Sequence, residues 1–302
     1  MGSYAFTEEA SPYRWIVGPL NLVLSVGPIF VNFFIIKTFL THSHFKKQIC
    51  YRLMAHLSMF ECVLALGFFG MGLFTVTQTT FGKIPEDLFC SFYFGATYGL
   101  YTCTFLIALN RFTVMCDIGP LKPIFYNAIL GLVWLVFVIH ECMTFTPYMD
   151  FFYHYDVANI RMNPDTTLTS ILNQITMYFN ITVLGISSCL YLITVVVIGY
   201  RRRKTLAGTH GSSHYEMRIL AVAIVIFLVC SLEVLIVHFL VDFFHPASLG
   251  SMILMLVVQV NWGWVNPVVY LCMNRELRHA ILGEKKTEVV NVTISSMAQS
   301  KR

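Results

Sequence analysis

The sequence predicts an all-α membrane protein, a seven-transmembrane helix bundle followed by a short amphipathic eighth helix. Three observations carry that prediction. Of 302 residues, 57% are hydrophobic and only 12% charged, about half the charged share of soluble domains, and the mean hydropathy is +0.68. Seven apolar stretches are each long enough to cross a bilayer. The last contains Asn266-Pro267-Val268-Val269-Tyr270 and runs into a short basic segment.

Hydrocarbon offers backbone N–H and C=O groups no partner, so each apolar stretch must satisfy its own backbone as a helix. Spans are expected near Trp15–Leu40, Ile49–Phe74, Leu88–Cys116, Pro123–Phe145, Ile171–Tyr200, Ile219–Val241 and Ser251–Met273. Residues 1–14 form an outer N-terminus, 15–273 the seven-span domain, and 274–302 an amphipathic helix with a disordered polar tail. Met1–Tyr13 is polar and acidic rather than signal-like, so the first span is expected to act as its own anchor. In 274–282, Arg275, Arg278 and His279 alternate with Leu277, Ile281 and Leu282, which suits a helix lying on the inner leaflet.

Charge sets the orientation. Of the 20 Lys and Arg, only Arg14, Lys83 and Arg161 fall on the N-terminal side of this map. Because basic loops stay cytoplasmic, the N-terminus is expected outside and the tail inside. The outer segments carry Glu8, Glu9, Glu86, Asp87, Asp150, Asp156, Asp165 and Asp242. These read first as solvated loop charges. Nothing in the formal charge of +4 points to nucleic acid. Eight of the nine cysteines lie in or at the ends of spans as small apolar packers. Cys90, at the outer end of span three, has no cysteine to meet in the second outer loop, Thr146–Ser170.

Two inner motifs give the pattern specificity. Leu109-Asn110-Arg111-Phe112, at the inner end of span three, resembles the Asp/Glu-Arg-Tyr element of rhodopsin-like G-protein-coupled receptors, and Asn266–Tyr270 resembles their Asn-Pro-x-x-Tyr element. Leu57-Ser58-Met59-Phe60-Glu61 is similar to their span-two Leu-Ala-x-x-Asp, Asn32 to the span-one Asn, and Trp134 to the span-four Trp. The departures are informative: Asn110 replaces the acid, span six lacks Cys-Trp-x-Pro, and span five has no proline. Ile107-Ala108-Leu109-Asn110-Arg111-Phe112 is most similar to the nematode serpentine chemoreceptors of the Srx and Srt type. The resemblance implies a chemosensory receptor, in a sensory cilium, that binds an extracellular small molecule or peptide and activates a heterotrimeric G protein.

Candidate residues follow from chemistry at these positions. Arg111 cannot lose its charge and needs a partner whose position can change. Glu216 is the expected resting partner, with Tyr200 and Tyr270 as receivers after span six moves. Asn110, Phe112, Asn266 and Pro267 complete the expected coupling switch, Pro267 by freeing backbone carbonyls and permitting a bend. Glu61, Glu141 and Glu233 are acids inside spans, each expected to be buried, paired or protonated. Asn32 and Glu61, with Asn266 as an expected neighbour, form a polar core resembling the family's sodium site. A ligand cavity is expected among Tyr98, Tyr101, Tyr178, Asn180, Glu233, His238, Gln259, Asn261 and Trp262, an aromatic lining with polar handles.

Other classes fit less well. No lysine lies between Lys204 and Lys285 to carry a retinal Schiff base, and no cofactor is implied. His56, His140 and His238 lie at depths too different to share a metal ion, and no nucleophile–base pair suggests an enzyme. A proton- or cation-coupled transporter is the alternative, since buried acids and histidines could form a path; inverted repeats are not evident.

Overall fold

The computed structural model describes residues 13–119, 121–154, 158–162, 167–205 and 248–282, together with 221, 224–225, 227–228, 231–232, 235–236 and 244. Among the described residues, six helices are long and apolar enough to cross a membrane: Arg14–Thr41, Ile49–Thr77, Lys83–Met115, Pro123–Thr144, Leu168–Tyr200 and Leu249–Cys272. They are spans one to five and span seven. Of span six, the described positions from 221 to 236 are helical. Glu216, Glu233, His238, the first twelve residues and the tail from 283 lie outside the described residues.

Span three is the most buried of the six and the axis of the bundle. It packs against spans two, four and five, while span one lies along span two and touches span seven. Small residues permit the closest approaches. A Cβ at Gly99 would fall 2.4 Å from the Phe60 ring, and one at Gly27 would fall 2.2 Å from Trp264. Phe60 in turn stacks on Trp134 at 4.3 Å, whose indole N–H donates to His56 Nδ1 at 3.1 Å. That explains the span-four tryptophan: it holds spans two and four together beside span three.

Span ends differ from the expected ones by a few residues. Span three begins at Lys83 rather than Leu88, because Gly82 (φ 105) breaks the chain and the first turn then gains ion pairs. In span seven, a π turn over Asn261–Val265 separates Leu249–Val260 from Asn266–Met273. Pro267 has no N–H to offer the Gly263 carbonyl, and a wider turn just before it absorbs that mismatch. The bend expected at Pro267 is thus prepared one turn earlier. Gly263 sits against span one, where a Cβ would lie 2.8 Å from Pro28 Cγ.

The second outer loop holds an element that the sequence reading left unassigned. Strands β1 (Phe151–His154) and β2 (Asn159–Met162) pair antiparallel, with Phe151 opposite Met162 and His154 opposite Asn159. The helix Arg275–Leu282 follows span seven after a break at Asn274, whose Oδ1 caps it by accepting from Leu277 N–H at 3.1 Å. Leu277 is fully buried, and Arg278 donates to the carbonyls of Leu271 and Cys272 at the end of span seven. Its position matches the expected eighth helix.

Candidate functional site

Among the described residues, polar side chains buried inside the bundle gather in the middle, at the inner end and toward the outer rim. In the middle, Asn266 Nδ2 donates to Glu61 Oε1, joining span seven to span two. Asn32 of span one stands close enough to polarise the same carboxyl, while neither of its side-chain atoms completes a hydrogen bond of ordinary geometry. Ser58 Oγ, Glu61 Oε2 and Asn266 Oδ1 are likewise buried without a hydrogen bond. Ser58 precedes Glu61 by three residues and so shares its helix face. The sequence-predicted neighbours Asn32, Glu61 and Asn266 therefore do meet. Their oxygen atoms make a donor set suited to water or a hard cation.

At the inner end, Arg111 is buried, 8% exposed, and its Nε has no hydrogen-bond partner. Its Nη2 donates to Cys50 Sγ, a contact that the sequence reading missed. Asn110 does not hold it: the Asn110 amide faces Tyr126 Oη of span four at 3.4 Å. Tyr270 is buried with its hydroxyl lacking a hydrogen bond, whereas Tyr200 is 64% exposed on the surface of span five. Phe112, next to Arg111 in sequence, is half-buried.

The candidate ligand residues divide. Tyr101 and Trp262 are buried with rings 5.7 Å apart, and Trp262 also stacks with Tyr93 at 6.4 Å, leaving its indole N–H without a partner. Tyr98 bonds to Thr176 across spans three and five, and Asn180 is buried with Oδ1 without a hydrogen bond. Asn261 is half-buried in the π turn. Two expectations need correction. Tyr178 is 63% exposed, because its position on span five points out of the bundle. Gln259 is buried but turned toward span one, where Nε2 donates to Asn21 O at 2.9 Å and Ser25 Oγ at 2.7 Å; it pins spans one and seven together.

The outer rim corrects another expectation. Glu86 and Asp87, read from sequence as solvated, are buried at 9% and 7%. Lys83 Nζ lies 2.9 Å from Asp87 and 3.6 Å from Glu86, and it pairs with Asp150 and the Phe151 carbonyl of the hairpin. Glu86 Oε1 accepts from Tyr153 N–H at 2.8 Å. Tyr153 Oη meets Thr75 Oγ1 at 2.7 Å, and burial pushes its hydroxyl pKa well above the ordinary range. Lys83-x-x-Glu86-Asp87 was legible as a one-turn ion-pair pattern; Asp150 and the strand were not. Beneath this clasp, Cys90 is a fully buried free thiol. Below the hairpin, Glu141 accepts from Ser91 Oγ, with His140 Nδ1 at 3.5 Å.

The chain was also compared with known proteins. A family model described as serpentine type 7TM GPCR chemoreceptor Srt matches residues 4–292. No curated protein sequence matches. Among solved structures, squid rhodopsin aligns with a TM-score of 0.71 at 12% identity, over 92% of this chain and 87% of that one. At that identity the likeness shows the fold alone, a seven-transmembrane helix bundle.

Proposed function

Because the chain belongs to the serpentine Srt chemoreceptor family, we propose that it is a G-protein-coupled chemosensory receptor that binds an extracellular small molecule or peptide and activates a heterotrimeric G protein. One observation carries the coupling step. The charge of Arg111 is buried at the inner end of the central span, held among the described residues by a neutral thiol rather than an acid, with its Nε lacking a hydrogen bond. A guanidinium so placed is costly and incompletely satisfied, so a second arrangement with better partners lies within reach of a modest free-energy change.

Ligand would act from the outer half. The Tyr93–Trp262–Tyr101 group joins span three to the π turn just above Asn266, and Asn266 bonds to Glu61. Displacing Trp262 would thus move the polar core, and water or a sodium ion at Asn32 and Glu61 would move with it. The orientation with the N-terminus extracellular, in the plasma membrane of a sensory cilium, belongs to the same reading.

The test is guanine-nucleotide exchange by a panel of G proteins on membranes containing the chain, screened over a broad small-molecule library with Arg111→Ala beside it. Ligand-stimulated exchange is expected in the wild type and at least about tenfold weaker in the variant. Equal stimulation of both would remove Arg111 from the mechanism. Electrogenic uptake by the purified protein, with no exchange, would favour a transporter instead.

A further inference from the structure

The partner that Arg111 has in this structure comes from the start of span two. Cys50 is the second residue of that helix, 7% exposed, and its sulfur is the hydrogen-bond acceptor that Arg111 reaches. Asn110, which replaces the acid beside Arg111, is turned to Tyr126 and supplies nothing.

We propose that Cys50 is the positioning residue that holds Arg111 in the resting state, an inference that rests on the reading of Arg111 as the coupling switch. Three observations support it. The seat of Cys50 is rigid: the next residue, Tyr51, packs on Phe39 and Phe45 with ring centroids 5.3 and 4.8 Å apart, and Phe39 also meets Tyr270. The hold is weak. Sulfur is a poor acceptor, and no side chain caps the N-terminus of span two, whose positive pole disfavours a cation placed beside it. A second acceptor stands in the same packing: Phe39, which meets Tyr51, also meets Tyr270 with ring centroids 6.2 Å apart, and the buried Tyr270 hydroxyl lacks a hydrogen bond, as does Arg111 Nε. A thiol therefore does here what a carboxylate would do more tightly, and it sets a low threshold for release.

The experiment uses the full chain in lipid nanodiscs. The nine native cysteines rule out thiol labels, so spin labels are introduced as non-natural amino acids at Ile118, just past the inner end of span three, and at Ser213, six positions before the expected start of span six at Ile219. Distances between them are measured by double electron–electron resonance, and basal nucleotide exchange is read in parallel. Cys50→Ala is expected to raise the ratio of separated to closed populations on the order of tenfold, the worth of a hydrogen bond to a charged group. Cys50→Ser, whose hydroxyl is a stronger acceptor than sulfur, stays at the wild-type ratio or shifts toward closed, and Cys50→Asp shifts it further toward closed. Alanine and wild type giving one distribution, or serine behaving as alanine does, would overturn the proposal. Should the alanine protein fail to fold, the aspartate variant decides: a closed shift supports the hold and no shift refutes it. Altered distances without exchange on any G protein would leave Cys50 in place and remove the coupling reading. Exchange lost in Arg111→Ala but unmoved in every Cys50 variant would do the reverse.

Discussion

Asn266 and Glu61 stand 205 positions apart in sequence and share one hydrogen bond in the bundle core, where each is the other's best means of avoiding an unpaired polar group. Truncating either leaves its partner buried and unsatisfied, at a cost of about 1–3 kcal/mol. Glu61→Leu and Asn266→Leu should each lower the melting temperature of purified protein. The double variant should lose less than the two single losses combined, because the orphan is then gone; strict additivity would show that the two do not interact. Close packing gives a second residue-scale expectation. Gly99→Ala drives a methyl group into Phe60, which is stacked on Trp134 and fully buried. Overpacking of that kind costs about 1–3 kcal/mol, and a thermal-unfolding scan at wild-type stability would mean that Phe60 yields freely.

The outer hairpin and span three form the instructive pair of elements. Cys90 of span three is a free thiol, and the second outer loop has no cysteine to bridge to it. Lys83, Glu86, Asp150 and the Glu86–Tyr153 bond join the two elements instead. Surface ion pairs are worth little, and Lys83 itself is exposed, but Glu86 and Asp87 are buried, Asp150 is half-buried, and the lysine serves all three at once. Lys83→Met should therefore speed amide hydrogen exchange at Tyr153 and its strand neighbours by about tenfold or more. A thiol reductant should leave the same amides unchanged. Protection that survives Lys83→Met would assign the fastening to the stacked Phe94 and Phe151 rings, 5.4 Å apart. The aromatic run Phe151-Phe152-Tyr153 favours a strand, yet a four-residue strand is too short to stand out from a loop before its partner is known.

For the whole molecule, the proposed orientation makes a direct prediction: an epitope at the N-terminus should stain on intact cells, and one at the C-terminus only after permeabilisation. The reverse pattern would invert every statement about inner and outer ends. The spans, the amphipathic helix after span seven and the landmark positions Asn32, Glu61, Trp134, Arg111 and Asn266 were all legible in one dimension. A bilayer makes helix formation a local rule, since a run of apolar residues has no other way to satisfy its backbone, and motif spacing within a helix fixes the face. What only the tertiary structure decided were the partners. Cys50 is 61 positions from Arg111, and Glu86 is 67 from Tyr153. Gln259 turns to span one 234 positions away rather than to a ligand, and Tyr178 points outward. The physical reason is common to all four. A helix specifies its own hydrogen bonds along the chain, whereas the rotation of one helix against another depends on how glycines, prolines and rings from several spans interlock.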